Sequence, residues 1–168
     1  MSNDVPAVGC YFHPRDCVGL GGRFVILAID FLAALTIVIL IPPVAGPFVT
    51  LVGVWIYLVV LNATPFRTLG YRLVGARVVT LNGQSVNVFQ LSYRMLITML
   101  GIGNPLLDLC WMDLDRNRQT LRDKLAGTYV IRMNAEPAGR GTIQQSRIFA
   151  AGYTFVYQKV TITEPPNA

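Results

Sequence analysis

The apolar positions of the chain are concentrated in two runs near its amino terminus. The first, from Gly21 to Ile41, is about long enough to cross a bilayer as a helix. Pro42 and Pro43 follow it, and proline ends a helix because it lacks a backbone donor and clashes with the preceding turn. The second run, from Val44 to Leu61, is just long enough to return through the bilayer. The pattern predicts a hairpin of two membrane-spanning helices, the second regular over 48–61.

A third apolar region, Val88 to Met112, is interrupted by the run from Gly101 to Pro105. Each of the two pieces is too short to cross a bilayer alone. A full third span would also place the basic residues that follow it opposite those that follow the second span, against the positive-inside rule. We therefore expect a broken, re-entrant pair of helices here in preference to a third membrane helix.

Three shorter segments have the composition of β-strands. Residues 76–81 are rich in β-branched side chains and end at Asn82 and Gly83, a dipeptide typical of turns. Residues 128–133 and 152–163 are similar. We expect one small cytoplasmic β element within a protein that is otherwise all-α: a two-span helical hairpin plus the broken re-entrant or third membrane helix.

The composition supports a membrane protein. Hydrophobic residues make up 53% of the chain and charged residues only 14%, whereas an ordinary soluble domain is about 25% charged. The formal charge of +5 is scattered between apolar segments. Scattered bases are not typical of a nucleic-acid interface, so the expected partner is the lipid bilayer and nucleic acid is not expected.

The distribution of arginines predicts the orientation. Arg67, Arg72 and Arg77 follow the second apolar run, whereas the turn between the two runs has no charge. The positive-inside rule then predicts a multi-pass protein of the cell membrane with both termini in the cytoplasm. The chain divides into an arm (1–20), a membrane domain (21–133) and a cytoplasmic tail (134–168).

The residues that could support metal binding or catalysis are few. The three cysteines, Cys10, Cys17 and Cys110, form no CxxC pair, and a disulfide framework is not expected. The spacing of Cys10, His13 and Cys17 matches no standard zinc site. Because His13 is the only histidine, a catalytic triad has no candidate. We expect no metal, no cofactor and no enzymatic activity.

Asp30 lies inside the first apolar run, where an isolated charge is disfavoured. Arg23 lies seven residues earlier, on the same helical face and roughly 10 Å away along the axis. Arg94 and Asp108, on the two pieces of the third region, are the other polar groups expected nearest the membrane helices. We expect Asp30 to be matched by Arg23 or Arg94. A structural, neutralised Asp30 and an Asp30 that contacts an ion or substrate both stay open.

The chain resembles the RDD family of small integral membrane proteins. The resemblance rests on Arg23 at the start of the first membrane helix, Asp30 within it, and Asp123 in the string RQTLRDKLAGT. The middle string TLGYRLVGARVVTLNG is also similar to the family pattern. Arg122 stands where the family commonly has histidine. The resemblance implies a membrane protein that has been suggested to take part in transport, and we expect Asp123 to fold back onto Arg23.

Two classes of function are compatible with these residues. The first is transport of a cation, proton or small solute along a polar path that includes Asp30. Because two or three short spans enclose little volume, this class implies a homo-oligomer or a partner membrane protein. The alternative is an accessory or assembly protein, in which the charged residues only hold the membrane helices to the cytoplasmic segments.

Overall fold

The computed structural model describes residues 7–41, 45–99, 112, 118–150 and 153–162. Its helices are α1 (Leu20–Leu40), α2 (Gly46–Ala63), α3 (Leu69–Val74), α4 (Val88–Met99) and α5 (Leu121–Leu125). Its strands are β1 (Val8–Tyr11), β2 (Ala76–Thr80), β3 (Thr128–Arg132), β4 (Gly139–Ala150) and β5 (Tyr153–Ile162). Helix α2 contains a π-helical segment, Ile56–Val60.

Helices α1 and α2 form the predicted hairpin. Within the described ranges, they are the two helices that are long and apolar enough to cross a membrane. Gly53 lets them approach closely, since a Cβ at this position would lie 3.1 Å from Ile41. The outer face of α1 is exposed and apolar, with Phe31 65% and Ile39 70% accessible. A face of this kind is expected to contact lipid rather than water.

Helix α3 lies beside the first half of α1. Gly70 packs against the α1 backbone so closely that a Cβ would lie 2.6 Å from the Ile26 carbonyl oxygen. Near the other end of α3, Val74 would be 3.2 Å from a Cβ added at Gly22. The short helix therefore runs antiparallel to α1. It ends at Gly75, whose φ of 64° is a left-handed conformation that favours glycine.

The strands in the described ranges form two antiparallel sheets. Strands β2 and β3 pair from Ala76 opposite Arg132 to Thr80 opposite Thr128. The second sheet has the order β1-β4-β5. Its main part is the long hairpin of β4 and β5. The three segments expected to share one sheet are therefore divided between two sheets.

The fold-class prediction of an all-α protein with one small β element is wrong. The described residues are about half helical and a quarter strand, with two antiparallel sheets among them. Residues 139–150 were not among the segments expected to be strands, and they show no regular apolar alternation. They become β4 because a long partner, β5, supplies their backbone hydrogen bonds along the whole hairpin.

The β2–β3 pair is the middle layer between the helices and the second sheet. Side chains alternate along a strand, so Val78 belongs to the core beneath the helices while Val79 belongs to the core against the second sheet. On β3, Val130 and Ile131 alternate in the same way. Both faces of this pair are thus buried.

The third apolar region is described only in part. Residues 88–99 form α4, whose buried face contains Leu91, Arg94 and Ile97. Met112 is buried, with 1% of its surface accessible. The described residues do not include the interruption at Gly101 to Pro105 or the predicted site residue Asp108. The prediction of a re-entrant path concerns these same residues.

The amino-terminal arm is folded onto the two sheets. Strand β1 pairs with β4, and Phe12 and Cys17 are buried against β3 residues such as Tyr129. Burial raises the pKa of the Cys17 thiol to about 11, so the thiol is protonated at neutral pH. In the part of the chain that the structure describes, no group of three His, Cys, Asp or Glu residues could hold a metal ion.

Candidate functional site

Asp123 is positioned by the start of a short helix. Thr120 is the N-cap of α5, and its hydroxyl accepts a hydrogen bond from the Asp123 amide at 3.2 Å. In return the Asp123 carboxylate accepts one from the Thr120 amide at 3.3 Å. This reciprocal arrangement is a capping box, which fixes both side chains. Asp123 is fully buried, so its charge must be compensated by protein groups.

Two arginines from distant elements compensate this carboxylate. Nη1 of Arg23, on α1, lies 2.6 Å from Oδ2 of Asp123. Nη2 of Arg94, on α4, lies 2.6 Å from Oδ1, an ion pair whose angles are not those of a hydrogen bond. Nη1 of Arg94 also donates to the Thr128 hydroxyl at 2.6 Å. The cluster of Arg23, Arg94 and Asp123 therefore connects α1, α4, α5 and the start of β3.

The charge of Asp123 is fixed over the physiological pH range. Burial alone would raise the pKa of its carboxyl, but the guanidinium groups of Arg23, Arg94 and Arg122 outweigh burial and hold that pKa well below its usual range. The carboxylate is therefore ionised at neutral pH. It is an acceptor and a counter-charge, not a proton donor.

The expected contact between Arg23 and Asp123 is present, but Arg23 is not an exposed interfacial anchor. Only 3% of its surface is accessible. Its other guanidinium nitrogens lie 3.4 Å from the carbonyl oxygens of Val18 and Arg118. Every polar end of the side chain therefore points into protein.

Asp30 has a different environment, made of neutral donors. Oδ2 accepts a hydrogen bond from the Thr68 hydroxyl at 2.7 Å. Oδ1 accepts one from the Gly70 amide at 2.9 Å and one from the Tyr57 hydroxyl at 3.1 Å. The residue is 7% accessible. Asp30 thus holds the start of α3 against α1 and α2.

The start of α3 needs such partners because the first amides of a helix have no acceptor within it. The Thr68 amide donates to the Asn62 side-chain oxygen at 3.2 Å, and the Leu69 amide donates to the Tyr57 hydroxyl at 3.2 Å. The Gly70 amide donates to Asp30. Three consecutive amides are therefore satisfied by three side chains of α1 and α2. Irregular backbone beside membrane helices requires this kind of compensation.

The prediction that Arg23 or Arg94 neutralises Asp30 is wrong. In the described ranges, the ion pairs of both arginines are with Asp123. The physical reason is geometric: Asp30 lies two helical turns from Arg23, whereas α5 brings Asp123 directly onto the Arg23 guanidinium. Hydroxyl and amide donors at the start of α3 take the place of the expected cation.

A cavity of about 310 Å³ lies between α1, α2 and α4. Most of its described lining is apolar, including Leu27, Leu58 and Met95. Its lining residues with polar groups are Asp30, Asn62, Tyr71, Arg94, Thr98 and Arg122. The cavity therefore brings two of the predicted site residues, Asp30 and Arg94, to one space, while Asp123 lies behind Arg94.

Several residues of the site were not identified from the sequence. The capping box was recognisable, because Thr120 precedes Asp123 by three positions. Thr68, Gly70 and Tyr57 carry no comparable signal, since a hydroxyl or a glycine amide becomes a carboxylate partner only through the tertiary fold. Thr128, the hydrogen-bond partner of Arg94, likewise has no feature in the sequence that identifies it.

The comparisons with known proteins agree with the motif positions. A family model described as the RDD family matches residues 17–127, about two thirds of the chain. This range contains all the residues of the charge cluster and of the Asp30 site. No curated protein and no solved structure matches the chain.

The Asp123 cluster predicts a specific loss of stability in acid. Because the folded-state pKa is lowered, the contribution of Asp123 to stability is complete above about pH 4, the pKa of an unperturbed aspartate, and is lost as the pH falls towards the lower folded value. Asp123→Asn should cost about 3 to 5 kcal/mol at neutral pH, because it leaves two buried guanidinium groups uncompensated. Thermal unfolding in neutral detergent between pH 2 and pH 7 measures both effects. Asp16→Asn is the control and should keep the acid dependence; an unchanged acid profile in Asp123→Asn would contradict the assignment.

The Asp30 contacts predict that an acceptor matters more than a charge. Asp30→Asn keeps one oxygen for the Gly70 amide and should lower the free energy of unfolding by about 1 kcal/mol, whereas Asp30→Ala leaves several buried donors unpaired and should lower it by about 2 to 3 kcal/mol. Thr36→Ala is the control, because this exposed hydroxyl bonds only within α1. Thermal unfolding of the four proteins in neutral detergent gives the ranking. Equal losses for the two Asp30 variants would show that charge compensation is the main role.

Proposed function

We propose that this chain, which belongs to the RDD family of membrane proteins, is a membrane-embedded unit that binds a small solute and takes part in its transport. The observation that carries the proposal is the cavity between α1, α2 and α4. Ligand sites are typically concave and mostly apolar, with a few convergent polar groups, and often lie between helices. The cavity has this character.

The polar lining supports a functional cavity. Intramembrane ionisable residues are rare and commonly mark substrate or ion paths. Asp30 lines the cavity from α1 and Arg94 lines it from α4, with the Asn62 amide and the Thr98 hydroxyl nearby. Side chains of both charges at one cavity could orient a polar or amphipathic solute.

The contacts of Asp30 favour a solute over a bare cation or a proton. Its two oxygens already accept three hydrogen bonds from Thr68, Gly70 and Tyr57. A cation would have to compete with these donors, and each displaced donor would then be buried without a partner. A solute that occupies the cavity beside Asp30 leaves these bonds in place.

The alternative is an accessory or assembly protein without transport activity of its own. The observation that favours it is the use of all three motif charges within the fold. Arg23 and Asp123 join α1 to α5, and Asp30 holds the start of α3. In this alternative the cavity has no ligand, and the sheets are the surface that contacts a partner.

We further propose a multi-pass location in the cell membrane with both termini in the cytoplasm. The uncharged turn after α1 and the basic residues after α2 support this orientation. A homo-oligomer or a partner membrane protein would complete the path, because a two-helix hairpin encloses little volume. The proposal assigns the chain no catalytic reaction.

The transport proposal predicts that filling the cavity stops flux. Leu27 and Leu58 line the cavity, whereas Leu32 and Leu51 are exposed on the apolar faces of the same two helices. In proteoliposomes loaded with labelled succinate or with pH- or sodium-sensitive dyes, the wild type should accelerate at least one flux. Leu27→Trp and Leu58→Trp should reduce it about tenfold, a change of about 1.4 kcal/mol. The matched controls Leu32→Trp and Leu51→Trp should leave it within about twofold, since they add the same side chain outside the cavity.

The absence of any flux above that of empty liposomes would contradict transport of these solutes and favour the accessory alternative. Equal flux in the lining and control variants would contradict the cavity as the path.

The orientation predicts which introduced cysteines are reached from outside the cell. Ala45 is exposed at the start of α2, and Asn134 is exposed after β3. In intact cells a membrane-impermeant maleimide should label Ala45→Cys above the background of the wild type, but should label Asn134→Cys only after the cells are opened. Labelling of Asn134→Cys in intact cells would contradict the cytoplasmic carboxyl terminus.

A further inference from the structure

The charge cluster carries one positive charge more than its carboxylate can balance. Arg23, Arg94 and Asp123 are 3%, 6% and 0% accessible, so all three charges are buried. Within the described ranges, each arginine has Asp123 as its ion-pair partner. Two guanidinium groups on one ionised carboxylate leave a formal charge of +1. Buried charges are costly unless they are paired, so this excess favours a further anion nearby.

Arg94 is the arginine of the charge cluster that lines the cavity. Arg23 is turned away from the cavity, with its guanidinium against Asp123 and two backbone carbonyls. Arg94 forms part of the cavity lining, as does Arg122. An anionic group in the cavity would therefore approach the less enclosed of the two arginines that share Asp123. The guanidinium fork suits carboxylate and phosphate groups in particular.

The rest of the lining suits an apolar chain. Leu27, Ala34, Val54 and Leu58 line the cavity on the hairpin side. Phe31 and Met99 line it too, and both are well exposed, at 65% and 60%. These two side chains therefore lie at its rim, at the exposed surface of α1 and α4. A ligand could enter from the bilayer with its apolar part still in contact with lipid.

We propose that the cavity binds an amphiphile with an anionic head and an apolar tail, the head at Arg94 and the tail between α1 and α2. This inference rests on the proposed function, for which it names the class of solute. Two sources share the chemistry: a free fatty acid and an anionic phospholipid of the bilayer. Asp30 also lines the cavity and its carboxylate would repel an anionic head, so the head is placed at Arg94, on the α4 side of the cavity, and not beside Asp30 on α1.

The test measures equilibrium binding to the full chain in neutral detergent. Labelled oleate is compared with oleyl alcohol, and phosphatidylglycerol with phosphatidylcholine, so that each pair differs mainly in head charge. At least one anionic member should bind about tenfold more tightly than its neutral counterpart. Preference for oleate identifies a free amphiphile, and preference for phosphatidylglycerol identifies a membrane lipid. Equal affinity within both pairs overturns the proposal.

Three variants locate the site. Arg94→Gln removes the excess charge and leaves Arg23 and Asp123 as a balanced pair, so the chain should stay folded. Its affinities for the anionic and the neutral member of each ligand pair should then be about equal. Leu27→Trp should weaken binding of the preferred amphiphile about tenfold, and its matched control Leu32→Trp should change it less than about twofold. Thermal unfolding checks the fold of each variant. Leu58→Trp with Leu51→Trp as its control repeats the comparison from α2 if Leu27→Trp does not fold. An anionic preference that persists in Arg94→Gln, or equal binding by lining and control variants, overturns the site.

The two proposals can fail separately. Charge-selective binding without flux of the bound amphiphile in proteoliposomes would contradict transport and leave the amphiphile site intact. A flux that the lining variants stop, without any anionic preference in binding, would support transport and overturn the amphiphile.

Discussion

The arrangement of this protein depends on the ion pairs that the Asp123 carboxylate makes with two arginines. The carboxylate joins α1 to α5 through Arg23, a residue 100 positions away, and α4 to the same helix through Arg94. Loss of this carboxylate would leave two buried guanidinium groups without compensation, which is among the more costly defects a fold can have. The membrane hairpin and the sheets are therefore held together by one small group of charges, not by a large apolar interface alone.

The Asp30 site supplies hydrogen-bond acceptors to irregular backbone next to the membrane helices. After α2 the chain starts α3 beside α1, and irregular backbone next to membrane helices needs partners for its amides. Asp30, Tyr57 and Asn62 provide the acceptors. The two aspartates of the motif thus do different work, because one compensates cations and the other accepts hydrogen bonds from neutral donors.

The sequence predicted those parts of the fold that follow from local chemistry. The hairpin, the strand at residues 76–80, the turn at Gly83 and the membership of the RDD family were all recognisable from apolar run lengths, turn residues and the motif. The contact of Arg23 with Asp123 followed from the motif and the need to compensate an arginine. The sequence could not predict the second sheet or the donors to Asp30. Strand β4 is specified by its partner, and Thr68 has no feature that distinguishes it from other threonines before it is folded.

The same arginine that completes the charge cluster also lines the cavity, and this links the fold to the proposed function. If Arg94 served only to compensate Asp123, one arginine would have sufficed, because Arg23 already balances that carboxylate. A second buried guanidinium adds a desolvation cost, and the single carboxylate of Asp123 cannot fully offset that cost for both arginines. The position of Arg94 is explained if its positive charge binds an anion in the cavity that this residue lines. The apolar walls of this cavity restrict the partner to a molecule whose charge is confined to one end.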